Sequence, residues 1–357
     1  MGGAYPFAPA VSEAGVAGRV SVVVVHYSGT DDLIACAASV LAEAGDVELI
    51  VVDNASPDRG AALLPSDARL RRIWLPRNVG FAAGANAGVT ASTGDVVVLL
   101  NPDATLRPGC LGALEQALAS ADIAVPRVLL ADDPSRLDSC GHDLYPDGLN
   151  WCRGRGEPAA DQFDSAEDVL LFSGAAVAFR RAALARVGAL DEGFWAYGED
   201  ADLGLRAARA GLLARTAPDA VCLHKVGGSF GRFGLRKAFL VERNRVRVAL
   251  VHLPISWLLL APLWTTARVV GMGLAGAAGH GVVGSYGRGT RTLLPAAVLA
   301  AWGASVVQAP GSLARRMALG LRGVDASYGR RLRAARIGLP TLLRRPSLPQ
   351  RSRARTT

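Results

Sequence analysis

The sequence predicts an α/β fold, a mostly parallel sheet with helices on both faces, followed by an apolar helical C-terminal region. Three observations carry this. Short runs rich in Val, Ile and Leu alternate with helical stretches from residue 19 to about 125, the rhythm of βαβ units. Two of these runs lead into an acid, Asp53 and Asp103, where open α/β sheets bind ligands. After about Arg247 charges vanish over long stretches.

The elements follow in order. Residues 1–18, rich in Gly, Ala and Pro, read as a flexible leader. Val20–Val25 is a strand, and Asp31 or Asp32 N-caps a helix reaching about Ala44. Val47–Val52 and the weaker Leu70–Leu75 are the next strands. Asn78–Ser92, rich in small residues, is a loop entering a helix. Asp95–Leu100 is a buried strand, Pro108–Ala119 a helix and Ile123–Val125 a short strand. Residues 126–165 read as an irregular, functional loop. Leu170–Arg180 is a strand-like run. Asp200–Gly211 has helical spacing, with Gly211 as its stop.

At 357 residues the chain has room for two domains. Its net charge is +8, and ten arginines crowd the segment from Arg322 to Arg355 against Asp325 alone. Such a tail suits anionic lipid. The five cysteines, Cys36, Cys110, Cys140, Cys152 and Cys222, show no CxxC spacing, so neither a zinc site nor a disulfide framework is expected, and a reducing compartment fits. No secretory signal is expected, because Val20–Val25 is too short for an apolar core.

The acids carry the chemistry. Asp53, in Val51-Val-Asp-Asn-Ala-Ser56, can accept hydrogen bonds from a nucleotide base or ribose; alone it reads equally as a turn residue. A dinucleotide-binding domain also places an acid there, but His26-Tyr-Ser-Gly-Thr-Asp-Asp32 lacks the GxGxxG that domain requires. Asp103 is stiffened by Pro102. Together with Glu199-Asp200 and His224, it could hold a hard divalent cation and leave one acid free as a base. The pattern suggests an enzyme acting on a diphosphate substrate.

Several pieces, in order, resemble the inverting family 2 glycosyltransferases of GT-A fold, in particular the bacterial rhamnosyltransferase-like branch. They are Val22–Tyr27, Val52–Ser56, Arg77–Asn86, Leu99–Asp103, Phe172–Ala175 and Phe194–Leu203, with Phe239–Arg245 resembling the segment that precedes an apolar C-terminal region. The resemblance covers roughly Arg19 to Gly231. It implies donor binding by Tyr27, Asp53, Asn54, Asn78, Gly80, Asn86 and Asn101. It implies metal binding by Asp103 and His224, with Asn101 in place of the first acid of the DxD motif. Asp200 would be the general base with Glu199 beside it, and Trp195 and Tyr197 would face the acceptor. The implied cofactor is Mg²⁺ or Mn²⁺, and the implied donor is a dTDP- or UDP-sugar, with rhamnose among the candidate sugars. The acceptor would be lipid-linked or a cell-envelope polysaccharide. The competing readings are a sugar-phosphate nucleotidyltransferase, which usually opens with a glycine-rich basic loop absent from Tyr27–Asp32, and a non-catalytic basic protein binding membrane or nucleic acid. Retention of Asp53, Asp103, Asp200 and His224 argues against the latter, and no nucleic-acid partner is expected. An oligomer is compatible with the sequence.

Three uncharged stretches, 248–267, 269–287 and 292–314, each approach the roughly 20 residues of a membrane span. Three spans would put the arginine tail outside, and two would export Arg268, or Arg288 and Arg291, without acidic relief. Pro254 and Pro262 break the first stretch. The expectation is helices lying in the cytoplasmic leaflet of the plasma membrane with the arginines on anionic headgroups; buried helices of a soluble subdomain are the alternative. The expected divisions are leader 1–18, catalytic domain 19–235, membrane-associating helices 236–321 and arginine-rich tail 322–357.

Overall fold

The computed structural model describes residues 18–160, 163–227, 233–320 and 326–344. Residues 1–17 of the expected leader, and Arg322, Arg345, Arg351, Arg353 and Arg355 of the tail, lie outside the described residues. The chain divides into two compact units: Met1–Leu144, Asn150–Arg232 and Gly323–Ala335 form the first, and Tyr145–Leu149, Phe233–Arg322 and Arg336–Thr357 the second.

The first unit begins β1 (Val20–His26), α1 (Thr30–Leu41), β2 (Val47–Asp53), β3 (Leu70–Trp74), α2 (Phe81–Ala91), β4 (Val96–Leu100), β5 (Ala104–Leu106) and α3 (Cys110–Leu118). It continues with β6 (Ile123–Leu130), β7 (Asp133–Ser139), β8 (His142–Leu144), β9 (Asn150–Cys152), β10 (Asp168–Val169), β11 (Ala176–Arg180), α4 (Arg181–Val187), α5 (Glu199–Arg209) and β12 (Ala214–His224). The second unit holds α6 (Leu235–His252), α7 (Ile255–Ala277), α8 (Gly281–Gly284) and α9 (Arg288–Ala318). The chain then returns α10 (Ala326–Ala334) to the first unit and ends with α11 (Leu339–Arg344) in the second.

The main sheet has the order β10-β12-β6-β11-β4-β1-β2-β3. β1 lies parallel to β2 and β4, and β11 is inserted antiparallel between β4 and β6. The apolar runs reflect burial on both faces. Val20, Val22 and Val24 pack with α1 and α3 residues such as Leu33 and Leu114, while Val23 and Val25 pack with Ala82, Ala85 and Val89 of α2. This is the alternation of a strand. The α/β fold with its mostly parallel sheet and apolar C-terminal helices is as expected.

Several local expectations change. Gly29, at φ 95°, caps α1; Asp31 and Asp32 lie in its first turn, where they complement the helix dipole. β6 runs on to Leu130 because β12 pairs with it along its length. The supposed irregular segment contains β7, β8 and β9, short pieces whose polar composition hid their pairing. Leu170–Arg180 splits into the end of β10's loop and β11, with Phe172–Ala175 turning between them.

In the second unit the three uncharged stretches become two long helices. Leu253, ahead of Pro254, is extended (ψ 152°) and separates α6 from α7. Pro262 does not break α7; it lies inside it, and Thr266 Oγ1 donates to its carbonyl at 2.9 Å. α7 and α9, 23 and 31 residues, are long and apolar enough to cross a membrane. Their exposed faces are apolar: Leu259, Leu263 and Leu274 on α7, Leu299, Val306 and Met317 on α9. Their buried positions are mostly polar: Thr265 and Arg268 beside Gly276 on one, Ser305, Ser312 and Arg316 beside Ala301 on the other. Arg268 is not without acidic relief. Its Nε donates to Asp147 Oδ2 at 2.7 Å and its Nη2 to Glu242 Oε2 at 2.9 Å. Arg245 and Trp302 Nε1 also bond Glu242, the latter at 2.8 Å. Burial opposes ionisation of Glu242, yet Arg245 and Arg268 hold its pKa down to about 2.

Part of the arginine-rich segment is internal to the first unit. Arg331 donates to the carbonyls of Ala208 and Leu212 at 3.2 and 3.0 Å, and Arg209 stacks on Tyr328 at 4.1 Å. α10 thus closes the C-terminal end of α5, and Arg331 spends its guanidinium on backbone.

Candidate active site

The chain leaves β1 for β2 and β3 on one side, then returns to β4 on the other. The carboxyl ends of β1, β2 and β4 therefore meet at a topological switch point, where such sheets bind ligands. Those ends carry His26-Tyr27, Asp53-Asn54 and Asn101-Pro102-Asp103.

Asp53 is buried at the end of β2, and its two oxygens accept from Ser56 N and Oγ at 2.7 and 2.6 Å. Asn54 braces the loop before α2. Its Nδ2 donates to Asn78 Oδ1 and Gly80 O, and its Oδ1 accepts from Val79 N. Asn78 Oδ1 also accepts from Gly80 N at 2.9 Å. Asn86 is turned elsewhere: it exchanges hydrogen bonds with Leu190 and donates to Glu192 Oε1. Asn54, Asn78, Gly80 and Asn86, which the resemblance implies as donor contacts, make these bracing hydrogen bonds in the structure.

That bracing reaches the aromatic loop. Trp195 O accepts from Phe81 N at 2.6 Å and Ala82 N at 3.3 Å, which caps α2. Gly80 allows it: a Cβ there would lie 2.5 Å from Trp195 O and 2.7 Å from its ring. Trp195 and Tyr197 both have positive φ, 65° and 66°, the kind of backbone strain that clusters at functional sites.

β12 runs beside β5 with His224 opposite Ala104, which brings His224 to Asp103. His224 Nε2 is 3.2 Å from Asp103 Oδ1, and its Nδ1 is 2.8 Å from Asp138 Oδ2. Asn101 Nδ2 lies 3.5 Å from the same Nε2. Arg155 pairs with the other Asp138 oxygen at 3.2 Å. Burial opposes charge on His224, but Asp103 and Asp138 outweigh it and raise its pKa to about 9. Burial likewise opposes ionisation of Asp138, yet Arg155 and His224 hold it well below the usual carboxylate range.

Asp200 joins from the start of α5. Gly174 N donates to its Oδ2 at 3.1 Å and Ala201 N to its Oδ1 at 2.8 Å. The next residue, Ala175, accepts from Asn101 N at 2.9 Å, so the turn before β11 ties the two acidic segments together. Glu199 is buried; burial first, then Asp200 and Asp202, raise its pKa to about 8.

Sequence reasoning missed Asp138, Arg155, His142 and Cys152. His142 Nε2 lies 3.4 Å from Cys152 Sγ, and Arg155 Nη1 lies 3.4 Å from the same sulfur. Burial disfavours the Cys152 thiolate, but His142 and Arg155 bring its pKa down to about 7. It also missed Asp58, which bonds His26 Nε2 at 2.9 Å and accepts from Gly29 N at 2.8 Å, fixing the turn that carries Tyr27.

Residues 21–188 match the family described as Glycosyl transferase family 2. That match covers a little under half of the chain. Among proteins similar to it is the succinoglycan biosynthesis protein ExoO of Rhizobium meliloti, 40% identical over 111 residues, which cover 30% of this chain and 32% of that protein. The chain thus spans about a third of that relative's length. Another is an N-acetylglucosaminyl-diphospho-decaprenol L-rhamnosyltransferase of Mycobacterium tuberculosis, 29% identical over 243 residues, 59% of this chain and 77% of that protein. A solved structure, GalNAc-T7 with UDP, GalNAc and Mn²⁺, superposes with TM-score 0.53 at 15% identity, covering 65% of this chain and 48% of that one. That likeness is one of fold, the GT-A architecture of a mostly parallel sheet flanked by helices.

Among the described residues, no three or more His, Cys, Asp or Glu side chains are grouped to hold a metal ion. Asp103 and His224 form a pair. A pair fits a divalent ion that takes its other ligands from substrate phosphates and water, as Mg²⁺ sites do. Asp138 behind Nδ1 is the outer carboxylate that orients a ligating imidazole.

Proposed function

We propose that the chain transfers a sugar, with inversion, from a dTDP- or UDP-sugar to a hydroxyl of a lipid-linked or polysaccharide acceptor at the cytoplasmic face of the membrane. The observation that carries this is the convergence of Asp103, His224 and Asp200 at the switch point, joined through Asn101, Ala175 and Gly174.

Asp53, held by Ser56, presents its carboxylate edge to the donor's nucleoside beside Tyr27. Asp103 and His224 would hold Mg²⁺ or Mn²⁺, which would supply positive charge to offset that on the leaving diphosphate. His224 would do so as a neutral imidazole, the metal displacing the proton from Nε2 while Nδ1–H stays directed to Asp138. Asp200, held in place by two backbone N–H groups, takes the proton of the attacking hydroxyl. Trp195 and Tyr197 offer the acceptor aromatic faces. A single displacement inverts the anomeric carbon and needs no protein nucleophile.

The similarity to a decaprenol-diphosphate rhamnosyltransferase supports rhamnose as the sugar and a lipid-linked acceptor. The apolar exposed faces of α7 and α9 support seating on a bilayer. The test is release of nucleoside diphosphate from a panel of dTDP- and UDP-sugars with Mg²⁺, Mn²⁺ or chelator, with and without a polyprenyl-diphosphate sugar. No metal-dependent release from any donor would overturn the reading.

A further inference from the structure

Glu199 opens α5 directly before the acid assigned as base. It is 5% exposed, and its Oε2 is buried with no hydrogen-bonding partner. The loop at Gly174 places no side chain between the acids: a Cβ there would be 3.7 Å from Asp200 Cβ and 3.8 Å from Glu199 Oε1. The charges that act on Glu199 are those of Asp200 and Asp202, both negative. Arg206 does not relieve it, being bonded to Asp202 at 2.8 Å and to carbonyls of the 187–189 turn. His142 acts on Asp200 rather than on Glu199.

The two neighbours are thus treated unequally. Asp200 receives a backbone N–H bond at each of its two oxygens. The Glu199 carboxylate receives one, from its own backbone N–H, while its Oε2 is buried without a donor, which disfavours the charged form. One proton on Glu199 removes that charge.

We propose that Glu199 is a neutral carboxylic acid at neutral pH and a positioning residue that leaves the single negative charge of the pair on Asp200. The proposal rests on the reading of Asp200 as the base. Its consequence is electrostatic. A second charge at the start of α5 would repel both Asp200 and a donor diphosphate, so turnover declines once Glu199 ionises.

The first measurement needs no turnover. In the full chain labelled with ¹³C-glutamate, the Glu199 Cδ resonance, assigned by its absence in Glu199→Gln, should have the protonated shift at pH 7. It should move to the carboxylate shift with a midpoint near 8. A carboxylate shift at pH 7 overturns the proposal, whatever the activity. Glu199→Gln should lose less than about tenfold in kcat at pH 7, against the roughly 10²–10⁴-fold cost of removing a general base. It should also abolish the alkaline decline in kcat/KM; an unchanged decline overturns the positioning role. Inactivity of every form on all donors would sink the transferase reading alone.

Discussion

Asp138 holds His224 through a 2.8 Å contact at Nδ1 and so aims Nε2 at Asp103. Neither neighbour in sequence suggests this, since Asp138 lies on β7 and His224 ends β12. Asp138→Asn keeps the shape but gives up the charge. Loss of such an outer carboxylate typically costs 10–100-fold in metal affinity. Titration calorimetry of Mn²⁺ with the nucleoside diphosphate should show a loss of about tenfold. Unchanged affinity would remove Asp138 from the metal site.

Asp200→Asn should leave donor binding nearly intact and reduce transfer by roughly 10²–10⁴-fold. The amide still accepts from Gly174 N but takes no proton at neutral pH. Donor affinity and single-turnover rate, measured separately, check this. Near-wild-type turnover rules Asp200 out as the base.

Gly80→Ala should act at Trp195. Gly80 has φ 86° and ψ 172°, a region essentially confined to glycine, and its missing Cβ is where Trp195 O and ring sit. A destabilisation of about 1–3 kcal/mol is expected from the backbone alone. Acceptor KM should rise more than donor KM. A variant with wild-type melting and wild-type KM values would show that the Gly80–Trp195 approach is not maintained in solution.

Glu242 makes stability depend on acid. Its folded pKa, about 2, lies below its ordinary 4.5. Its stabilisation is therefore fully present above the ordinary value and is lost as pH falls through the folded one. Thermal stability should fall as pH drops from about 4.5 to about 2. Glu242→Gln should be less stable at pH 7 by roughly 3–5 kcal/mol, since it leaves Arg268 and Arg245 buried without their carboxylate, and should show a flatter acid profile. An acid profile unchanged by the substitution counts against the network.

The full chain should float with liposomes containing anionic lipid, and high salt should loosen it only in part. Salt screens arginines but not apolar burial. A chain that stays soluble without detergent and ignores liposomes would make the exposed faces of α7 and α9 a protein-binding surface.

Much of the catalytic unit was legible because its signals are local. β1, β2 and β4 announce themselves as unbroken apolar runs, and Asp53 and Asp103 stand at their ends. His224 and Asp103, far apart in sequence, approach to 3.2 Å. What was hidden depends on distant pairing. Asp138 and Arg155 lie in a polar stretch whose strands exist through β6 and through each other. Asn54 and Asn86 look like ligand contacts, but only the fold shows that backbone has claimed their amides. Arg268 looked like a charge with no relief because its acids are 121 and 26 residues away.

That last network changes how the protein should be shortened. A cut after Arg247, the natural choice from hydropathy, discards Arg268 and Trp302 while keeping Asp147 and Glu242. Among the described residues, Arg245 would then be the remaining cation of this network, and it reaches Asp147 Oδ2 only at 3.6 Å. The trimmed enzyme would carry excess negative charge at a spot built to be dry, with insolubility as its symptom. Neutralising Asp147 together with the cut, as Asp147→Asn, should recover soluble protein where the cut alone does not.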